Sequence, residues 1–319
     1  MEADGISHRT IEVNGIAMHV ADKGPVDAPV VLFVHGFPEL WYSWRHQILS
    51  LSGRGYRCIA PDMRGFGQTT APPSASSYSI LHLIGDLIAL LDALSLQQVF
   101  LVGLDWGARV AWNLCMLTPD RVKALVTMSA AFKARNPAIK PIEQFRSLYG
   151  DEYYICRFQD PGVAEKEFAL VSTKNLFKKL FAGKSTGSSA VSKEFISSAT
   201  EETPLPPWIT EEDIEYYASS FDKSGFTGPM NYYCCLDLNW ELLAPWTGAQ
   251  VKVPTKFIVG EFDLTYHHPG IKDYLHKGGL KQDVPLLEEV VVVQGAGHFI
   301  QQENEQEISD HIYNFFTKF

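Results

Sequence analysis

An apolar run, Val99–Val102, leads straight into Gly103-Leu104-Asp105-Trp106-Gly107, after which Ala108–Leu117 repeats apolar residues at helical spacing. The pattern is a buried strand, a sharp turn and a helix, with glycines on both sides of the residue that the turn lifts clear of the backbone. Asp105 therefore sits at the C-terminal end of a strand. A carboxylate there is ionised at neutral pH and needs no base before it attacks an sp3 carbon. Such an attack leaves an alkyl ester on the protein, which water must then cleave. An acidic helix N-cap is the purely structural alternative, and this segment alone does not separate the two.

Two later strand ends bear on the choice. Leu287–Val293 is rich in β-branched residues and leads through Gln-Gly-Ala-Gly to His298, a candidate base. Pro254–Gly260 is another apolar strand, followed by Glu261-Phe262-Asp263. Asp263 lies further past its strand than Glu261, where a loop can turn it toward the histidine, so it is the preferred acid of the two. The chain order nucleophile, acid, histidine is that of an α/β-hydrolase, in which three strand ends converge on one site. Upstream, Pro29–Val34 closes on His35-Gly36-Phe37-Pro38-Glu39. The backbone N–H groups of Phe37 and Trp106 are candidates for an oxyanion hole, though Gly36 and Pro38 would make a tight turn in any case.

Read along its length, the chain opens with a hairpin turning at Asn14-Gly15 and then alternates strand and helix as far as Met128. Alternation of this kind implies a mainly parallel, doubly wound α/β sheet. It breaks into an aromatic, helix-patterned stretch and resumes at Thr255, ending in a helix over 305–316. The expected organisation is an α/β core formed by 1–131 and 247–319, with 132–246 inserted as a helical lid. Phe145, Tyr149, Phe158, Phe177, Phe181, Phe221, Phe226 and Met230 are available to line an apolar pocket, although most are expected to pack the lid itself.

Seven pieces in order, His35–Glu39, Asp62-Met-Arg-Gly-Phe-Gly67, Asp105-Trp-Gly107, Tyr153-Tyr-Ile-Cys-Arg-Phe158, Gly228-Pro-Met-Asn-Tyr-Tyr233, Gly260–Asp263 and Gly297-His298, span essentially the whole chain. Together they resemble the epoxide hydrolase branch of the α/β-hydrolases, specifically the soluble plant-type enzymes that lack an N-terminal phosphatase domain. The resemblance implies that two lid tyrosines hold the epoxide oxygen opposite the nucleophile. Matching motif to motif puts those roles on Tyr154 and Tyr233; each has a tyrosine neighbour, Tyr153 and Tyr232, and which member of each pair is the acid stays open in the sequence. A phenol, protonated at neutral pH yet far more acidic than an alcohol, suits that task. The resemblance also implies that Glu39 helps to position the hydrolytic water. One position departs from the pattern: the family usually has His just before the nucleophile, where this chain has Leu104. Altered ester hydrolysis or regioselectivity is expected from that change, not a different reaction.

The expected substrates are lipophilic epoxides, either fatty-acid epoxides or aryl oxides, converted to vicinal diols. Haloalkane dehalogenase is the nearest alternative, since it shares the Asp, the following Trp and the His. Dehalogenases commonly place Asn after the His-Gly of the first motif, however, where this chain has Phe37. A non-catalytic small-molecule receptor is a further alternative.

Composition narrows the partners. A net charge of −10, with no basic stripe, argues against nucleic acid and anionic membranes. The start, Met1-Glu-Ala-Asp-Gly5, lacks the basic-then-apolar layout of a signal peptide, and no apolar run reaches spanning length, so a cytoplasmic enzyme is expected. It is read as a monomer or weak homodimer. Five cysteines, odd in number and mostly on apolar segments, fit reduced thiols, and their spacing is not that of a zinc site. No cofactor or metal is implied. Residues 182–190 form a small, polar stretch expected to be a surface loop. Its Gly183-Lys-Ser-Thr-Gly187 fits Gly-x-Ser-x-Gly, but it follows a helix-like segment, so Ser185 is not the expected nucleophile. A phosphate loop would need Gly where Lys178 stands.

Overall fold

Asn14 and Gly15 both take positive φ, 47° and 79°, as a two-residue turn between right-twisted strands requires. They join β1 (Ser7–Val13) to β2 (Ile16–Lys23), the antiparallel edge of the sheet. The computed structural model describes residues 5–183 and 191–319. The first four residues and most of the polar stretch, including Ser185, lie outside the described residues.

β3 (Val30–Val34), β4 (Arg57–Pro61), β5 (Val99–Leu104), β6 (Val122–Met128), β7 (Thr255–Gly260) and β8 (Leu287–Val293) complete an eight-stranded sheet ordered β1-β2-β4-β3-β5-β6-β7-β8. β2 meets β4 antiparallel, and every pairing from β4 to β8 is parallel. From β3 the chain first moves outward to β4, then crosses back to place β5 on the other side of β3. The strand order thus reverses between β3 and β5, and ligands of open α/β sheets bind at the carboxyl ends beside such a reversal.

Side chains along these strands alternate between two cores. Leu32, Val34 and Leu101 join one, with Leu87, Leu90 and Ala111 from helices 80–93 and 106–117. Val31, Phe33, Val102 and Leu104 join the other, with Ile48, Ile308 and Ile312 from helices 45–52 and 305–316. This two-sided burial explains why the strands read as unbroken apolar runs. The α/β fold class expected from the alternation is the observed one.

Between β6 and β7 the described chain forms helices only, from Pro141–Tyr149 to Leu236–Leu242. This insertion is tied to the segment after β3: Trp41 Nε1 donates to Tyr216 Oη at 2.8 Å, and Tyr42 Oη donates to Asp213 Oδ1 at 2.8 Å. A buried ion pair supports it from below. Arg64 Nη2 lies 2.5 Å from Asp86 Oδ1, the latter also accepting from Asn14 Nδ2 at 2.8 Å, and the Arg64 carbonyl accepts from Tyr232 Oη at 2.8 Å. Asp86→Ala would leave a buried guanidinium without its counter-charge. It is expected to cost about 3–5 kcal/mol, read as a lower urea midpoint at unchanged slope.

Candidate active site

Asp105 occupies the turn between β5 and helix 106–117 at φ 54°, ψ −118°. Positive φ is costly for a residue with a Cβ, and the neighbouring glycines show what holds it there. A Cβ on Gly107 would run into the Val34 carbonyl, and one on Gly36 would run into the Asp105 side chain. The helix start therefore packs directly against the end of β3, and the Gly-x-Asp-x-Gly spacing is a packing requirement.

The Phe37 backbone N–H donates to Asp105 Oδ1 at 2.9 Å. Trp106 is the first residue of its helix, so its N–H has no intrahelical acceptor. Opposite the carboxylate stands His298, with Nε2 3.8 Å from Asp105 Oδ2, inside ion-pair range but beyond a hydrogen bond. Its other nitrogen, Nδ1, lies 3.1 Å from Asp263 Oδ1 and 3.2 Å from Ser129 Oγ. Asp263 is fully buried, and the same oxygen accepts from the Thr265 N–H at 2.8 Å and from Thr265 Oγ1 at 3.0 Å. The competing acid, Glu261, instead accepts from the Gly295 N–H at 2.8 Å.

Charge follows from this layout. Burial works against a protonated His298, but the charge and hydrogen bond of Asp263, with Asp105 and Glu39 behind, outweigh it and push its pKa up to about 10. Burial alone would raise Asp263, yet the imidazolium and the Thr265 N–H hold it below the ordinary aspartate value.

Tyr154 and Tyr233 close the cavity over Asp105 and His298, their ring centroids 6.1 Å apart. Burial, with the Asp105 carboxylate nearby, pushes both phenols well above the usual tyrosine value, so both hold their protons. Their sequence neighbours do not line the cavity. Tyr153 Oη pairs with His268 Nε2 at 3.1 Å, and Tyr232 is bound to the Arg64 carbonyl. The cavity wall is apolar: Phe37, Pro38, Leu180, Phe195, Phe262, Leu264 and Phe299. None of the eight lid residues offered as pocket-lining by the sequence belongs to it. Phe177 and Phe221, for instance, meet edge to face with centroids 5.0 Å apart within the helical insertion. Among the described residues no cluster of His, Cys, Asp and Glu is arranged to hold a metal ion.

An α/β-hydrolase-fold family profile matches residues 29–305. An epoxide hydrolase of Siraitia grosvenorii is 58% identical over 98% of this chain and 99% of its own. Epoxide hydrolase A of Mycobacterium tuberculosis is 35% identical over 98% of this chain and 97% of its own. The crystal structure of an epoxide hydrolase from Vigna radiata superposes with a TM-score of 0.92 at 55% identity, covering 98% of this chain and 99% of the other.

This chain belongs to the epoxide hydrolases.

Several polar groups of this epoxide hydrolase carry no sequence motif. Ser129, at φ 69°, and Thr265 secure the His298–Asp263 pair, and the one available signal for Ser129 was its place just past the carboxyl end of β6. Gln301 and Gln302 reach Glu39 from the short helix 300–303 that follows His298. Leu104 is fully buried among the apolar residues that include Trp44 and Ile300.

Proposed function

We propose that the enzyme opens lipophilic epoxides in two steps through an ester on Asp105, with residues 132–246 serving as the lid that carries the acids. In the first step Asp105 Oδ bonds to one ring carbon from the side opposite the ring oxygen, and that C–O bond breaks. Tyr154 and Tyr233 hydrogen-bond the departing oxygen, which takes a proton from one of them; that phenol is replenished, through solvent, by the imidazolium of His298. In the second step neutral His298 takes a proton from water as the water oxygen attacks the Asp105 carbonyl carbon. The oxyanion is held by the Phe37 and Trp106 N–H groups; collapse breaks the bond from the Asp105 carbon to the alkyl oxygen, which takes the proton of the newly added hydroxyl, so the diol leaves, Asp105 returns as a carboxylate and His298 is again protonated.

One observation carries this reading: the carboxylate, the imidazole and two protonated phenols meet across a single apolar cavity. The electrostatics order the steps. Asp105 is one of the three negative charges that raise His298, so converting it to a neutral ester lowers the imidazole pKa and favours the free base only after alkylation. The wall of Phe37, Leu180, Phe195, Phe262, Leu264 and Phe299 favours fatty-acid or aryl epoxides over polar ones. Glu39 contributes as an acceptor for the attacking water. Neither the dehalogenase nor the receptor alternative is favoured by the relatives.

Four of the five cysteines are buried and all five are unpaired, which fits the reducing cytoplasm as the compartment. No described helix is long and apolar enough to cross a membrane. We take the enzyme to act as a monomer or weak homodimer on a small molecule alone.

A single turnover in H₂¹⁸O with enzyme in excess tests the covalent route. The label is expected in the Asp105 carboxylate, located by peptide mass spectrometry, with unlabelled diol. Label found directly in the diol would overturn it.

A further inference from the structure

Glu39 is an unusual place for a carboxylate. It is fully buried, and among the described residues no Lys or Arg is paired with it. Its Oε1 accepts two hydrogen bonds, from Gln301 Nε2 at 2.6 Å and Gln302 Nε2 at 3.0 Å, while Oε2 has no hydrogen-bond partner among the described residues. Both amides come from helix 300–303, which begins two residues after His298, so one short segment presents the base and grips the carboxylate. The Gln302 amide is itself anchored. Gln302 Oε1 accepts from Arg45 Nη1 at 2.7 Å and from Tyr217 Oη at 3.3 Å, which turns its NH₂ toward Glu39. Gln301 is held through its backbone carbonyl, which accepts from Gln47 Nε2 at 2.8 Å, while its side-chain Oε1 has no hydrogen-bond partner among the described residues. Leu104, beside the nucleophile, offers no polar atom that could do the same from the β5 side.

We propose that Gln301 and Gln302 are positioning residues for the hydrolytic half of the reaction: by occupying one oxygen of Glu39 they leave Oε2 as a fixed acceptor for the attacking water. The proposal rests on the two-step reading above and assigns it a further pair of residues. An ungripped carboxylate could rotate and present either oxygen at varying distance, and small errors in the position of a reacting group are costly. Two N–H donors also stabilise the charged form of a group that burial alone would neutralise. Burial raises Glu39 to about 7, with the charge of His298 and the two amides opposing that rise and Asp105 adding to it; Tyr217 also faces Glu39. Withdrawing one donor therefore raises the Glu39 pKa further, and the carboxylate becomes fully charged only at higher pH.

The test uses Gln301→Met, which keeps the side chain's length and removes its donor, and follows the two half-reactions separately. With styrene oxide as probe, the rate at which the Asp105 adduct appears is expected to stay within about twofold of the unaltered enzyme. The rate at which it disappears is expected to fall by about tenfold, and the acid limb of that rate to move to higher pH. Because Gln301 acts through Glu39, adding Gln301→Met to Glu39→Gln is expected to change ester hydrolysis by no more than about twofold. Gln302→Met, read in the same way, carries the test should Gln301→Met not fold. Equal loss in both half-reactions, an unmoved acid limb, or additive losses in the double variant would each overturn the assignment. Absence of any Asp105 adduct, even in His298→Gln, would instead sink the covalent reading on which it rests.

Discussion

Replacing His298 by glutamine is expected to stop the enzyme with substrate still attached. Glutamine keeps much of the volume but cannot take a proton from water, so the ester forms and persists. One equivalent of styrene oxide should add its full mass to the peptide containing Asp105, while steady-state turnover falls by at least about 10³-fold, roughly 4 kcal/mol in the barrier. The adduct should appear more slowly than in the unaltered protein, because the imidazolium that replenishes the phenol is also gone. Full turnover in this variant, or an adduct on any other residue, would remove His298 or Asp105 from its assigned role.

Removing both phenols is expected to have the opposite signature. In Tyr154→Phe and Tyr233→Phe separately, one donor still holds the departing oxygen, and alkylation should slow by about 10- to 100-fold. In the double variant the alkoxide would emerge against an apolar wall with neither phenol to receive it, and the loss should exceed about 10³-fold without adduct accumulating. Rapid mixing with mass detection distinguishes this from the His298 variant: there the ester accumulates, and here it does not form. A double variant that alkylates within tenfold of the unaltered enzyme would show that the phenols line the cavity without acting on the epoxide.

What was legible in the chain follows from how local each constraint is. The doubly wound sheet could be read because its strands are buried on both faces and its turns are punctuated by glycine, and both leave marks within a few residues. The nucleophile's turn could be read because Gly103, Asp105 and Gly107 sit within one turn of chain. The choice of Asp263 over Glu261 needed only reach, since a residue further from the strand can be swung toward the histidine. The cavity wall was not legible. Phe262 and Leu264 come from the loop after β7, Phe299 from beside the base, and Phe195 from a five-residue helix; what unites them is where the topology brings them, not spacing. Lid aromatics such as Phe177 and Phe221 have the same composition and a stronger helical pattern, and they pack against each other instead. Gln301 and Gln302 were hidden for a related reason. A glutamine signals nothing until its partner, 262 or 263 residues away in the chain, is known to be a buried carboxylate.

The two tyrosine doublets divide labour between neighbours. Tyr232 is moored to the Arg64 carbonyl and Tyr153 to His268, so the next residue in each pair is aimed by a joint lying outside the cavity. The apolar residues Leu180, Phe195 and Leu264 of the cavity wall take no part in those moorings. On the roles proposed for Tyr154 and Tyr233, substitutions at Leu180, Phe195 or Leu264 are therefore expected to alter which oxirane is admitted without displacing the residues that aim the two phenols.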